Sequence, residues 1–322
     1  MRAAQITSLD GPAAVRVADV EEPLGSDGVV VIDVHAAGVT FPDVLQTRGL
    51  YQYKPELPFI PGTEVAGVVR SAPADASVRA GDRVAAFPGL GGFAETVAVS
   101  PDAVFPVPDT TSFVAAAALP MNYLTVHFAL TRRGGLREGE TVLVHGAGGG
   151  VGTAAVQLAS ALGARVIAVT SSTEKGEVAR RAGAHEVIAP EGFRDAARDL
   201  TDGSGVDLVV DPVGGDRFTD SLRSLAPEGR LLVVGFTAGE IPTVKVNRLL
   251  LNNISVVGVG WGAFWGKRPA YLQEQWAELR PLLDAGVLDP PIGATYALED
   301  IAAALTELDT RAARGKVVIK LR

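Results

Sequence analysis

The sequence predicts an α/β protein in two parts, a Rossmann-type doubly wound parallel sheet and a mostly β domain ahead of it. Three observations carry this. The β-branched run Thr141 to His145 feeds the glycine turn Gly146-Ala147-Gly148-Gly149-Gly150-Val151-Gly152, and helical spacing begins at once after it. Strand-like and helix-like patterns then alternate to residue 259, as they do in a parallel sheet with crossover helices. Residues 1–100 hold only short β runs between turn residues, and a chain of 322 residues exceeds what one core usually holds.

Taken in order, Val29 to Val34, Val65 to Val69, Arg83 to Phe87 and Ala94 to Val99 read as strands of a barrel-like region. Gly81-Asp82-Arg83-Val84 is a turn feeding a strand, and Pro58, Pro61, Pro88 and Pro106 break any long helix. Helical pattern is expected from Phe113 to Thr131. A strand at 141, a helix from 150 with Val151, Ala155, Leu158 and Leu162 on one face, and a strand at Arg165 to Val169 make a βαβ unit of about 30 residues. A helix from 173, a strand at Glu186 to Ile188, a strand at Val206 to Asp211, a helix over Asp216 to Ser224, a strand in Gly229 to Gly235 and a last β run at Asn253 to Val259 follow. The tail offers a helix at Leu298 to Leu308 and a strand at Lys316 to Leu321 that is expected to return to the N-terminal β region. Residues 1–121 and 285–322 are thus assigned to the β domain and 122–284 to the nucleotide-binding domain, closely packed around a cleft.

The glycine turn has a chemical reading. A backbone approaches a pyrophosphate only where side chains are absent, and the first N–H groups of the following helix donate to it. The spacing Ala147-x-Gly149-x-x-Gly152 is the dinucleotide fingerprint with Ala in its first place. Ligands in open sheets collect beyond the carboxyl ends of strands, so Asp211 to Gly214 and Gly235 to Thr237 are expected to line the crevice. At the end of the second strand an NAD site offers a carboxylate to the ribose; here stand Thr170, Ser171, Ser172 and Thr173, then Glu174 and Lys175. Hydroxyls and a lysine suit a 2′-phosphate, so NADP(H) is the expected cofactor. Read otherwise, Lys175 and Arg180 are solvated charges of the next helix, and Glu174 counts against the phosphate.

Composition excludes other classes. Net charge is −8 with no basic block, against nucleic-acid or anionic-membrane binding, and no apolar stretch reaches the roughly 18 residues of a spanning helix. The first residues lack the pattern of an export peptide, which points to the cytoplasm. With no cysteine there is no disulfide and no cysteine nucleophile or ligand. His35, His127, His145 and His185 are scattered, so structural roles are expected for each and no metal site.

Gly62-Thr63-Glu64-Val65-Ala66-Gly67, Gly81-Asp82-Arg83-Val84, Thr125-Val126 and the glycine turn together resemble the medium-chain dehydrogenase/reductase superfamily, over essentially the whole chain. Within it they look like the zinc-free quinone oxidoreductase group related to zeta-crystallin. The resemblance implies that the β domain is GroES-like and catalytic. It also implies that Phe41, Pro42, Asp43 and Phe128 lie near the nicotinamide, Thr125 at the cofactor, Gly150 and Val151 at the pyrophosphate, and Thr170, Ser171, Ser172 and Lys175 at the 2′-phosphate. By the same likeness Gly235, Phe236 and Thr237 stand beside the ribose, and Val259, Gly260 and Trp261 behind the nicotinamide. Arg311 matches a phosphate-binding arginine; an Arg at a helix end equally suits the helix dipole. Zinc-using members carry a ligand His where Thr63 stands and a ligand Cys near Thr40, which agrees with the cysteine-free composition. Two departures stand out: Thr40 where relatives often have Asn, and Ala189-Pro190 where some place a Tyr.

The implied reaction is hydride transfer from NADPH to a quinone or an α,β-unsaturated carbonyl (enone), acceptors that spread incoming charge without a Lewis acid. Thr40 and Tyr51 are the candidates near the acceptor oxygen, Tyr51 reading equally as a half-buried packing residue. Phe41, Trp261, Phe264 and Trp265 suit either the walls of an aromatic substrate site or ordinary packing. An enoyl-thioester reductase shares the hydride step and stays open; a nonenzymatic nucleotide sensor or nucleic-acid binder is disfavoured by the acidic balance. The apolar edge run Asn253 to Val259 suggests a homodimer.

Overall fold

The structure, a computed structural model, describes residues 1–23, 25 and 28–322. The chain divides into two compact units, the first made of Met1–Met121, Pro269–Asp284 and Pro290–Arg322, the second of Asn122–Arg268 and Ala285–Asp289.

The first unit opens with β1 (Arg2–Gln5) paired antiparallel to β2 (Arg16–Asp19). β3 (Val30–Val39) is ten residues long and almost wholly buried, with strands paired along both of its edges. α1 (Phe41–Gln46) follows it directly, with Pro42 in the first turn, where a missing N–H costs nothing. β4 (Glu64–Ser71), β5 (Arg83–Ala86), β6 (Thr96–Val99) and β7 (Val104–Pro106) complete an antiparallel set in which β3 pairs with β4 and β6, and β5 with β4 and β7. α2 (Phe113–Ala116) is capped by Ser112, whose Oγ accepts from the Ala115 N–H at 3.1 Å.

The single helix expected over 113–131 is in fact three pieces. Pro120 cannot supply a helical hydrogen bond, so it starts a new helix, α3 (Pro120–His127). That helix passes into a wider π turn over Phe128–Arg133, closed by the Gly134 N–H on the Ala129 carbonyl at 2.7 Å.

The second unit alternates β8 (Thr141–His145), α4 (Gly150–Ala161), β9 (Arg165–Val169), α5 (Thr173–Arg181), β10 (Glu186–Ile188), α6 (Phe193–Asp199), β11 (Val206–Asp211), α7 (Phe218–Ser224), β12 (Leu225–Val233), α8 (Asn247–Asn252), β13 (Ser255–Gly258) and α9 (Trp261–Trp265). Every strand pair is parallel, in the order β10-β9-β8-β11-β12-β13. That is the doubly wound order, first strand central and direction of winding reversed beside it. Its core joins Leu143, Ile167, Val209 and Leu231 of the strands to Phe193, Phe218 and Leu222 of the helices on one face.

The chain then returns to the first unit through α10 (Tyr271–Asp284), β14 (Ile292–Ala297), α11 (Ile301–Asp309) and β15 (Lys316–Lys320). β15 inserts between β14, parallel, and β3, antiparallel. α10 differs from the sequence assignment, which placed 269–284 with the nucleotide-binding domain. Its Trp276 stacks on Phe105 at 4.9 Å, and Gln273 donates to the carbonyls of Asp102 and Val104, at 3.0 and 2.9 Å, so it packs with the β strands. Among the described residues no helix is long and apolar enough to cross a membrane.

Candidate functional site

In the second unit the sheet reverses its winding between β8 and β11, and the turns leaving those strands, 146–149 and 212–214, lie at the switch point. Backbone hydrogen bonds hold the glycine turn: Ala147 N–H donates to the Val169 carbonyl at 3.2 Å and Gly149 N–H to that of Gly146 at 3.0 Å. A Cβ on Gly152 would run into the Gly146 carbonyl oxygen, so only glycine lets α4 start this close to β8. The N–H groups of Gly150, Val151 and Gly152 find no acceptor inside the helix, and the helix dipole adds partial positive charge there. Such an arrangement can cradle a phosphate pair.

The loop after β9 is built against that cradle. Ser172 caps α5, its Oγ accepting from the Lys175 N–H at 3.3 Å, and Ser171, Ser172 and Thr173 are exposed while Thr170 is buried. A Cβ on Gly148 would stand 2.7 Å from Lys175 Cβ, so the base of the lysine side chain rests on the glycine turn itself. Glu174 is exposed in the same first turn, and Arg180 is exposed further along α5.

Further turns close round the crevice. Asp211 spends its carboxylate on the turn after β11, accepting from the N–H groups of Val213 and Gly214 at 2.9 Å each, and burial pushes its pKa up. The stretch after β12 is tied to that turn by Thr237 N–H on the Pro212 carbonyl at 3.1 Å, with Gly235 half-buried and Phe236 exposed. Val259 N–H donates to the Val233 carbonyl at 3.0 Å; Gly260 is exposed and Trp261 buried. Phe128 packs on Phe264 at 5.1 Å, and Phe264 also receives the guanidinium groups of Arg132 and Arg268 on its ring. The aromatic cluster Trp261, Phe264 and Trp265 is therefore held within this unit. Thr125, on α3, keeps a buried Oγ1 with no hydrogen-bond partner among the described residues, a cost of about 1–3 kcal/mol that a ligand group would remove.

The first unit carries the other predicted residues. Thr40 stands at the end of β3 and caps α1; its N–H and its Oγ1 both donate to Asp43 Oδ2, at 2.7 and 2.6 Å. Thr40 Oγ1 also lies 3.2 Å from Thr63 Oγ1, and Gly62 N–H donates to Asp43 Oδ1 at 3.3 Å. Asp43 is fully buried, which pushes its pKa up to about 6 against the pull of the Thr40 hydrogen bonds. Its side chain faces these partners, not outward, whereas Phe41 and Pro42 are half-buried. Tyr51 is half-buried, and burial, then the Asp43 charge, pushes its phenol up, while Thr40 is the predicted acceptor-side residue that bonds Asp43 directly. Arg311 is exposed just beyond α11, in the left-handed region at φ 59°, a helix-end position.

Sequence reasoning missed an ion pair beside this cluster. Glu64, the first residue of β4, and Lys316, the first of β15, are both buried and paired, and Glu64 Oε2 also accepts the Met121 N–H at 2.7 Å, capping the start of α3. The glutamate sits in a noted motif; nothing around Lys316 in sequence marks its partner. These donors do not fit a zinc ion: the hydroxyls of Thr40 and Thr63 bond each other, Glu64 is committed to Lys316, and no group of three or more His, Cys, Asp or Glu among the described residues is placed to hold a metal. The glycine cradle and the orphaned Thr125 hydroxyl do fit a dinucleotide.

Two family models match the chain: the alcohol dehydrogenase GroES-like domain over residues 26–109 and the zinc-binding dehydrogenase over 150–284. Quinone oxidoreductase-like protein 2 of Rattus norvegicus is 38% identical over 325 residues, covering 100% of this chain and 92% of that protein. Among solved structures, a probable oxidoreductase from Mycobacterium abscessus is 48% identical with a TM-score of 0.92, covering 100% of this chain and 99% of that one. The quinone oxidoreductase of Thermus thermophilus, solved also in complex with NADPH, is 37% identical with a TM-score of 0.86, covering all of both chains.

Proposed function

The chain belongs to the quinone oxidoreductase-like group of the medium-chain dehydrogenase/reductase superfamily, and on that footing we propose that it is an NADPH-dependent, zinc-independent reductase of quinones and α,β-unsaturated carbonyls. The observation that carries this reading is the glycine cradle with Lys175 resting on it and no carboxylate at the end of β9. The pyrophosphate is held by the N–H groups of Gly150, Val151 and Gly152, with Ala147 and Gly149 shaping the turn. Thr170, Ser171, Ser172 and Lys175 take the 2′-phosphate, Gly235 to Thr237 the ribose, and Thr125 and Val259 to Trp261 the nicotinamide end; Arg311 adds a cation for a phosphate. When bound, the reduced nicotinamide supplies a hydride. Thr40 and Tyr51 stabilise the oxygen of an acceptor that delocalises the incoming charge, which is why no Lewis acid is assigned.

The test is a binding titration followed by turnover of metal-stripped protein with a benzoquinone, a cyclic enone and an enoyl-thioester. NADPH is expected to bind at least tenfold more tightly than NADH, with the quinone and the enone reduced after exhaustive chelation. Equal affinity for the two coenzymes overturns the cofactor assignment. Turnover restored only by zinc overturns the metal-free reading, and activity confined to the thioester reassigns the substrate.

We also propose a homodimer. Among the described strands β13 pairs with β12 alone, and the preceding α8 segment leaves Val246, Leu250 and Leu251 exposed, a combination that a second copy would cover. A monomeric mass by light scattering at micromolar concentration overturns this.

A further inference from the structure

The hydroxyls of Thr40 and Thr63 form a chain whose direction depends on a single proton. Thr40 Oγ1 has one hydrogen and lies within bonding distance of both Asp43 Oδ2, at 2.6 Å, and Thr63 Oγ1, at 3.2 Å. When Asp43 is a carboxylate it can only accept, so it takes the Thr40 hydrogen, and Thr63 donates to Thr40. Both hydroxyls then point inward, and neither offers a hydrogen to an acceptor. When Asp43 is protonated its O–H donates to Thr40 Oγ1, and the Thr40 hydrogen is released for Thr63 Oγ1 or for an acceptor.

The surroundings make the protonated form accessible. Among the described residues the ionisable groups whose charge is coupled to Asp43 are Glu64, Lys316 and Tyr51. Glu64 and Lys316 neutralise each other, so an ionised Asp43 leaves the buried cluster with one uncompensated negative charge and a protonated Asp43 leaves none. Burial outweighs the Thr40 hydrogen bonds and brings Asp43 to about 6, close to the pH at which a proton is best both held and released.

From this geometry we infer that Asp43 holds the proton that completes reduction of the acceptor and hands it on through the Thr40 hydroxyl, an inference that rests on the reductase reading above. Hydride addition to the conjugated carbon forms one C–H bond and leaves the electron pair of the broken π bond as negative charge on the acceptor oxygen. That oxygen takes the hydrogen of Thr40 Oγ1, Thr40 regains one from Asp43 Oδ2, and Asp43 is left as a carboxylate until water reprotonates it. The reduced nicotinamide is the reductant, and the proton consumed is the one Asp43 held. Asp43 is on this account a positioning and proton-holding residue, with Thr40 the group that touches the acceptor.

The test combines pH profiles with a spectroscopic readout that needs no turnover. In infrared difference spectra of the cofactor-free protein, a protonated-carboxyl band is expected to vanish as pH rises through about 6, and to be missing from Asp43→Asn. With an enone, wild-type kcat is expected to fall about tenfold per pH unit above that point. Asp43→Asn should lose at least tenfold at pH 6 with a flat profile and unchanged NADPH affinity. A wild-type pH profile retained in Asp43→Asn, or the infrared band persisting there, overturns the inference. Should Asp43→Asn not fold, Thr40→Val and Thr40→Ser decide: Ser is expected to restore the rate and its pH dependence, Val to lose both, and wild-type behaviour of Val overturns the inference. Wild type that reduces none of the three acceptors overturns the reductase reading itself, an outcome distinct from turnover with an unmoved profile.

Discussion

The two groups of predicted site residues, one in each unit, are made of different materials. In the second unit the candidate nucleotide cradle is backbone: N–H groups at the start of α4 and small residues over 146–152 and 170–175 that leave room for a ligand. The buried cluster of the first unit is side chain: Glu64 and Lys316, from β4 and β15, pair with each other out of water, and Asp43, from α1, is bonded by Thr40 and Gly62. A backbone cradle fails when an atom is added to it. A buried charge cluster fails when one is taken away, because the remaining partner is stranded in low dielectric.

The largest effect should come from removing a charge. Lys316→Ala leaves Glu64 buried with the Met121 N–H as its remaining donor, and breaking a buried pair in this way costs about 3–5 kcal/mol. Denaturant titration checks it; a loss below about 1 kcal/mol would mean that water reaches Glu64 and that the cluster tolerates a missing partner. Next in size is the addition of atoms to the glycine turn. Gly152→Val places a side chain against the Gly146 carbonyl, and NADPH affinity should fall at least 100-fold, about 2.7 kcal/mol, by fluorescence titration. The infrared band assigned to Asp43 should be unmoved by that change, since no part of its network lies in the glycine turn.

The same contrast explains what could be read from sequence. Thr141 to Gly152 is contiguous, its periods switch from strand to helix at the turn, and a site assembled from neighbours in the chain shows itself in the chain. The doubly wound sheet was legible for that reason. Lys316 was expected only as the start of a returning strand, and its pairing with Glu64 is a consequence of β15 inserting beside β3, a long-range fact without a local signal. Asp43 was expected at the cofactor, but its carboxylate points to Thr40 and Gly62, an inward orientation that spacing does not specify. α10 was missed for a related cause. Nothing in its local sequence names the unit it joins, and the contacts of Trp276 with Phe105 and of Gln273 with the Asp102 and Val104 carbonyls decide.

Acid should pull the two regions in opposite directions. Asp43 titrates in the folded protein at about 6, above the ordinary 3.8, so its stabilisation is complete below 3.8 and lost as pH rises through 6. His145 lies buried at the end of β8, its Nε2 2.8 Å from Ser221 Oγ, and burial followed by the Arg217 charge lowers its pKa from 6.5 to about 3. Its stabilisation is complete above 6.5 and lost as pH falls towards 3. Between pH 6 and 4 the two slopes, each up to about 1.4 kcal/mol per pH unit, oppose each other. Relative to wild type, Asp43→Asn should therefore lose stability faster on acidification over that range, and His145→Gln should lose it more slowly. Unfolding free energies of the three proteins at pH 4, 5 and 6 check this, and parallel curves would refute it.

The smallest effect is expected at the exposed rim of the candidate nucleotide cradle, in the loop after β9. Lys175→Ala should weaken NADPH binding about tenfold, roughly 1.4 kcal/mol, and leave NADH binding unchanged, since only the former presents a 2′-phosphate. The loss is modest because Ser171, Ser172 and Thr173 and the first turn of α5 still offer hydroxyls and a favourable dipole to that phosphate, and because salt screens a lysine in this half-buried position. Raising ionic strength should accordingly narrow the difference between wild type and variant. Equal weakening of both coenzymes would instead trace the effect to the packing of Lys175 on Gly148, where its Cβ stays in place but the rest of its stem is lost, and would move the lysine from the charged rim into the backbone cradle.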